Sequence, residues 1–242
     1  MANIYRIFKK EVGGYMNSAS AYVFLIVFLA LGATLFFTQG GFFLNRQASM
    51  GGFFVFVPWL FLFFVPAIAM RIWAEEKKAG TEELLMTMPV RDYEVVMGKY
   101  LAALLLLVVA LLLTFPLPLT VRHFADPKTP VDWGPVAGGY TASILFGAMV
   151  LAIGTWSSSL TRNQIIAFIL GCAITFVTIV LGFPAVYEVL PFGQFLASLS
   201  PWTRYVSMYS GAISLADVVY YLSAVALFLY LNIRTVESRK WM

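Results

Sequence analysis

The sequence predicts an all-α integral membrane protein with six transmembrane helices, and three observations predict it. Of 242 residues, 61% are hydrophobic and 12% charged, against about 45–50% and about 25% in soluble domains. Mean hydropathy is +0.84. Apolar runs long enough to cross about 30 Å of hydrocarbon at about 1.5 Å per residue recur at 20–38, 53–71, 98–121, 137–158, 164–183 and 215–233. Aromatic residues make up 17% of the chain, more than a core of this size can bury, so lipid must cover the remainder. Disorder and a disulfide scaffold are excluded; the one cysteine, Cys172, sits inside an apolar run.

Residues 3–16 place Ile4, Tyr5, Phe8, Val12, Tyr15 and Met16 at helical spacing, with Arg6, Lys9, Lys10 and Glu11 largely elsewhere on the wheel. Residues 1–19 therefore read as an amphipathic helix lying in the membrane interface. Gly13 and Gly14 soften its end, where the chain turns into the first span. That span, from Ala19 to Thr38, is longer than the apolar core of a secretory signal and has no small-x-small cleavage site after it. Pro58 and Pro66 lie within the second run. Each removes a backbone donor, so they are expected to kink that helix or help end it. Pro116 and Pro118 should do the same near the end of the third.

Segment 72–97 is the largest feature on the side that the Lys and Arg count makes cytoplasmic. It reads as a loop with a short helix in it: Thr81 after Gly80 is a plausible N-cap, Glu82 and Glu83 suit a helix start, and Pro89 closes the helix. Segment 184–214 carries Pro184, Pro191 and Pro201 among apolar residues and reads as a hydrophobic hairpin of short helices dipping back toward the bilayer. Twelve of the sixteen Lys and Arg residues fall on one side of this topology, and only Arg46, Arg122, Lys128 and Arg204 on the other. The positive-inside rule makes the richer side cytoplasmic, with both termini there. The basic residues are scattered between spans rather than gathered on a face, so the net charge of +4 reflects topology and not a nucleic-acid partner.

Several chemistries are missing. Gly98-Lys99 is followed by Tyr100 and lacks the upstream glycine of a phosphate-binding loop, so this chain has no nucleotide cradle of its own. One histidine, His123, and one cysteine cannot build a zinc site or a Cys–His nucleophile pair. No run has a charged residue at its centre; Thr34, Thr114, Ser143, Thr175, Thr178 and Asn232 are the polar groups in or near the spans, suited to hydrogen bonds within and between helices. That argues against an ion-coupled carrier and against a selective ion channel. Asp217, Glu188 and Arg204 on the outer side are too few for an intramembrane enzyme.

The stretch from Pro66 through Arg71, Glu75, Glu76, Gly80, Thr81, Glu82, Glu83, Leu84 and Leu85, and the stretch Pro89 to Lys99, resemble the first cytoplasmic loop of ABC-2 type transporter permeases. Leu199-Ser200-Pro201-Trp202, Gly211 and Asp217 to Tyr221 resemble that family's outer hairpin and last span. The likeness covers essentially residues 1–242 as one transmembrane domain and is closest to the gliding-motility-type (GldF-like) subgroup. It implies a non-catalytic permease subunit of an exporter in the bacterial inner membrane, pairing with a second permease chain, identical or related, and with two separate ABC ATPase subunits. It implies no cofactor in this chain, ATP and Mg being bound by the partner ATPase, and leaves room for a periplasmic or membrane auxiliary subunit beside membrane lipid. Glu75, Glu76, Gly80, Thr81, Glu82, Glu83, Leu84 and Leu85 would form the element that couples to the ATPase. The alternative function is a non-transporting anchor that links an ATPase mechanically to a periplasmic assembly.

Overall fold

The computed structural model describes residues 2–39, 49–80, 90–124, 131–189 and 191–238, and among these residues the chain is helical with no strand. In order, the helices are α1 (Ala2–Met16), α2 (Ala19–Gln39), α3 (Gly51–Ala69), α4 (Arg71–Ala79), α5 (Asp92–Leu112), α6 (Pro116–Phe124), α7 (Trp133–Leu160), α8 (Gln164–Val180), α9 (Pro184–Tyr187), α10 (Gly193–Ser198), α11 (Pro201–Tyr209) and α12 (Leu215–Ser238). Five stretches, α2, α3 with α4, α5 with α6, α7 and α12, are long and apolar enough to cross a membrane. The remaining expected span, α8, is apolar but 17 residues long, somewhat short of the ~20 that a bilayer asks for. The chain is thus a multi-pass membrane protein with five candidate spans among the described residues.

The most deeply buried helix is α7, which packs against α12, α3, α8, α11 and α5. Its residues 148–155, apolar apart from Thr155, are buried all round its circumference, as expected of a helix enclosed by others. Neighbouring spans run in opposite directions, Phe36 and Phe28 of α2 meeting Phe53 and Phe64 of α3, and Tyr100 and Thr114 of α5 meeting Ala148 and Tyr140 of α7, and this gives the bundle two ends. The proximal end holds α1, α4, the start of α5 and the close of α7; the distal end holds α9, α10 and α11.

Neither proline stops α3, which runs from Gly51 to Ala69 through both. A proline inside a helix leaves the carbonyl four residues earlier without its amide. For Pro58 that carbonyl is Phe54, and the Tyr205 hydroxyl of α11 donates to it at 2.9 Å. For Pro66 it is Leu62, and the Cys172 thiol of α8 donates to it at 3.2 Å. Side chains from two other helices thus replace the two missing amides, as neighbouring helices can do in a membrane protein. Only at Met70, whose N–H bonds Pro66 O at 2.8 Å, does α3 hand over to α4.

Of segment 72–97, most of the described residues are helical, since α4 runs to Ala79 and α5 begins at Asp92. Gly80, at φ +71°, ends α4 in the left-handed conformation that favours glycine. Asp92 and Glu94 stand in the first turn of α5, where the helix dipole favours carboxylates. Glu94 also reaches back to accept from Arg91 N at 3.1 Å. The short helix expected from Thr81 to Pro89 lies outside the described residues. The expected third span, 98–121, is likewise divided: α5 stops at Leu112 and α6 begins at Pro116, as the missing amide of a proline dictates. Segment 184–214 does form three short helices.

Candidate functional site

Three elements meet at the proximal end. The N-terminal helix α1 crosses the first turns of α5 at Gly98, where an added Cβ would stand 2.8 Å from Ile7 Cγ2 and 3.2 Å from Ile4 O. Only glycine admits so close a crossing. It brings Glu11 of α1 over α5, and α4 supplies Glu76 from the other side. Lys99, 3% exposed, stands between them: its Nζ lies 3.0 Å from Glu11 Oε1 and 2.7 Å from Glu76 Oε1. The same ammonium sits 5.6 Å from the centre of the Trp73 ring, within cation–π range. One buried lysine therefore ties α1, α4 and α5 together, across 88 and 23 residues of sequence. Asn3 adds a second clasp between α1 and α5, donating to Glu94 Oε2 at 3.1 Å.

Helix α4 has no local cap, since Met70 is itself helical and offers no side-chain acceptor. Its first amides are met from α7 instead. Ser158 Oγ accepts from Trp73 N and Ala74 N, each at 3.1 Å, and donates to Met70 O at 2.8 Å. A single hydroxyl thereby satisfies two of the orphan donors of a helix start and one carbonyl of the preceding turn. The next residue of α7, Ser159, accepts the Lys77 ammonium on its backbone carbonyl. Arg71 faces the opposite way, holding Glu75 by two contacts at 2.9 and 3.3 Å and donating to Ser20 Oγ.

Between these groups is a cavity of about 240 Å³ with Glu11, Tyr15, Ser18, Ser20, Arg71 and Lys99 among its walls. Burial and the nearby Glu11 carboxylate push the Tyr15 phenol well above its usual range, so it stays a hydrogen-bonding hydroxyl. No group of three or more metal-ligating side chains occurs among the described residues.

Of the residues singled out from the sequence, Glu75, Glu76 and Gly80 lie in this structure and Thr81, Glu82, Glu83, Leu84 and Leu85 fall outside the described residues. Glu75 is spread over the surface against Arg71, whereas Glu76 turns inward onto Lys99. Sequence reasoning passed over Lys99, Glu11 and Ser158. The first is the lone charge at the edge of an apolar run, and its carboxylate partners are too far away in sequence to be paired with it by spacing. At the distal end, Arg204 pairs with Asp217 at 3.0 Å and lies 4.5 Å from the Tyr220 ring, while Glu188 is exposed. These three form no common site.

A family model described as ABC-2 family transporter protein matches residues 38–233. No curated protein matches the chain.

Proposed function

The chain belongs to the ABC-2 transporter family, and from that premise we propose that it forms the translocation path of an ATP-driven exporter together with a second permease chain. Separate ATPase subunits power it through the loop that follows Gly80. It crosses the inner membrane six times, with α8 as the fifth span, and both termini face the cytoplasm. The likeness of its loop sequence to the gliding-motility-type subgroup places it in that subgroup in this reading.

The observation that supports the coupling role is the stem of that loop. A force delivered by nucleotide-driven closure must reach the spans through a stiff local contact. Helix α4 is the segment that leads into the loop, and its grips extend to α1 and α5 through Lys99 and to α7 through Ser158. Displacing residues 81–89 would therefore pull on three elements at once. Glu76, facing Lys99, acts in this reading as part of the stem. Glu82, Glu83, Leu84 and Leu85 form the part that meets the ATPase.

The test is the amount of ATPase subunit retained on a tagged permease in detergent, read beside the membrane-inserted yield. Leu84→Asp should lower retention more than Glu82→Ala, because a buried leucine contributes about 1–3 kcal/mol and a rim charge at most about 1 kcal/mol. Reversal of Glu82 and Glu83 to Lys should uncouple hydrolysis from transport while insertion stays normal. Unchanged retention and unchanged activity in both Leu84→Asp and the double reversal would remove the loop from the coupling role.

A further inference from the structure

Helix α1 carries a second feature, on the flank beside the face that meets Lys99. Its crossing of α5 at Gly98 leaves an open groove of about 610 Å³ between Ile4, Tyr5 and Phe8 on one side and Leu101, Leu105 and Val108 on the other. Tyr5 is 65% exposed and Leu105 39% exposed, so nothing among the described residues covers the lip. The volume is that of pockets that hold a small organic molecule, and the walls are apolar. The α5 side of the groove lies inside a candidate membrane span, so the groove opens at hydrocarbon depth.

The rim is charged. Arg6, Lys9 and Lys10 are exposed on α1, and no carboxylate among the described residues pairs with them. Lys9 follows Phe8 directly and stands one turn beyond Tyr5, which puts it beside the groove rather than behind it. The single acidic residue of α1, Glu11, is taken up by Lys99. The groove thus has one unpaired cation, Lys9, at its edge, with Arg6 and Lys10 farther round the helix.

We infer that this groove is a binding site for one anionic phospholipid, its acyl chain lying between α1 and α5 and its phosphate held by Lys9. Charge complementarity selects an anionic lipid over a zwitterionic one, and the depth of the slot selects a lipid over a soluble anion. The site depends on the chain's being a membrane protein and not on the coupling role of residues 81–89, so its test is separate from the ATPase-retention test.

The experiment uses the full chain, in whatever complex it purifies with, reconstituted in phosphatidylcholine nanodiscs containing a minor fraction of phosphatidylglycerol. Lipid retained per chain after transfer to detergent is counted by native mass spectrometry. The wild-type chain should retain a phosphatidylglycerol in preference to phosphatidylcholine. Lys9→Gln should weaken that retention about fivefold, the factor expected for one basic residue near an anionic surface, with phosphatidylcholine unaffected. Leu105→Trp, which fills the slot, should displace the lipid altogether. If that variant does not fold, Lys9→Gln at its exposed position decides alone. Equal retention of both lipids by the wild type, or phosphatidylglycerol retention unchanged in Lys9→Gln, would overturn the assignment. So would a Leu105→Trp chain that keeps its lipid while losing its permease partner, since a second chain would then be the occupant.

Discussion

The distal end of the bundle is held by phenols and close backbone contact, and the proximal end by ion pairs around a cavity. Distally, Tyr205, Tyr220 and Tyr221 each donate to a backbone carbonyl, of Phe54, Leu199 and Pro201. Gly138 lets α7 approach α11 so closely that an added Cβ would lie 2.3 Å from Met208 O. Proximally, α4 is held by Lys99, Lys77 and the Ser158 hydroxyl, next to about 240 Å³ of space. Dispersion falls away over fractions of an ångström, so a packed contact admits one arrangement. A charge pair retains attraction as its partners separate, particularly where water is scarce. In the proposed coupling role, the end that transmits movement rests more on the second kind, although Gly98 packs closely there, and the distal end more on the first, although Arg204 pairs with Asp217 there.

Substitutions can break this contrast in order of size. The largest effect is expected at Gly138→Val. Because the opposing atom is a backbone carbonyl that cannot rotate away, the loss should be more than about 3 kcal/mol, seen as a collapse of the detergent unfolding midpoint and of yield. Lys99→Met should follow at about 3 kcal/mol, since it leaves two partly buried carboxylates facing one another. Adding Glu11→Gln and Glu76→Gln to it should recover most of that stability without restoring transport. Recovery of both would show the triad to be structural only, and recovery of neither would mean that the ion pairs are not what holds the stem.

Ser158→Ala ranks next at about 2 kcal/mol, for two amides and a carbonyl left without partners. Its particular signature is faster hydrogen exchange at Trp73 and Ala74, while the amides of α11 stay protected. The two prolines of α3 sharpen the comparison within one helix: Tyr205→Phe should cost about 1–2 kcal/mol and Cys172→Ala less than about 1 kcal/mol, because a thiol is a weak donor. Equal costs would mean that the Phe54 carbonyl is not dependent on Tyr205. Glu75→Gln is the smallest, at less than about 1 kcal/mol, because its pair with Arg71 is half exposed and screened by salt.

Much of this architecture could be read in advance, for reasons specific to particular segments. The runs at 20–38, 137–158 and 215–233 are apolar enough that length alone makes them spans, and α2, α7 and α12 contain them. The amphipathic spacing of Ile4, Phe8 and Tyr15 predicts α1, and the pattern of prolines predicts the three short helices of 184–214. Apolar periodicity is a local property, and a bilayer enforces it strongly. The absence of a phosphate-binding loop is likewise a matter of sequence alone. What Pro58 and Pro66 do to α3 was not legible. A proline's cost depends on whether a donor from elsewhere reaches the carbonyl it orphans, and Tyr205 and Cys172 lie 151 and 110 residues away from those carbonyls.

The same holds for the candidate site. The sequence by itself determined that the chain is a membrane protein and where its apolar helices run, because both follow from the composition of contiguous segments. It could not say that Lys99 is buried between Glu11 and Glu76, that Ser158 caps a helix begun 87 residues before it, or that α1 leaves a groove beside Lys9. Those facts depend on which helices cross and at what distance, and the crossing at Gly98 is decided by the absence of one methyl group against Ile7. Only the tertiary structure brings the separate charges into one place, since in the extended chain nothing distinguishes Lys99 from any other lysine at the edge of a span.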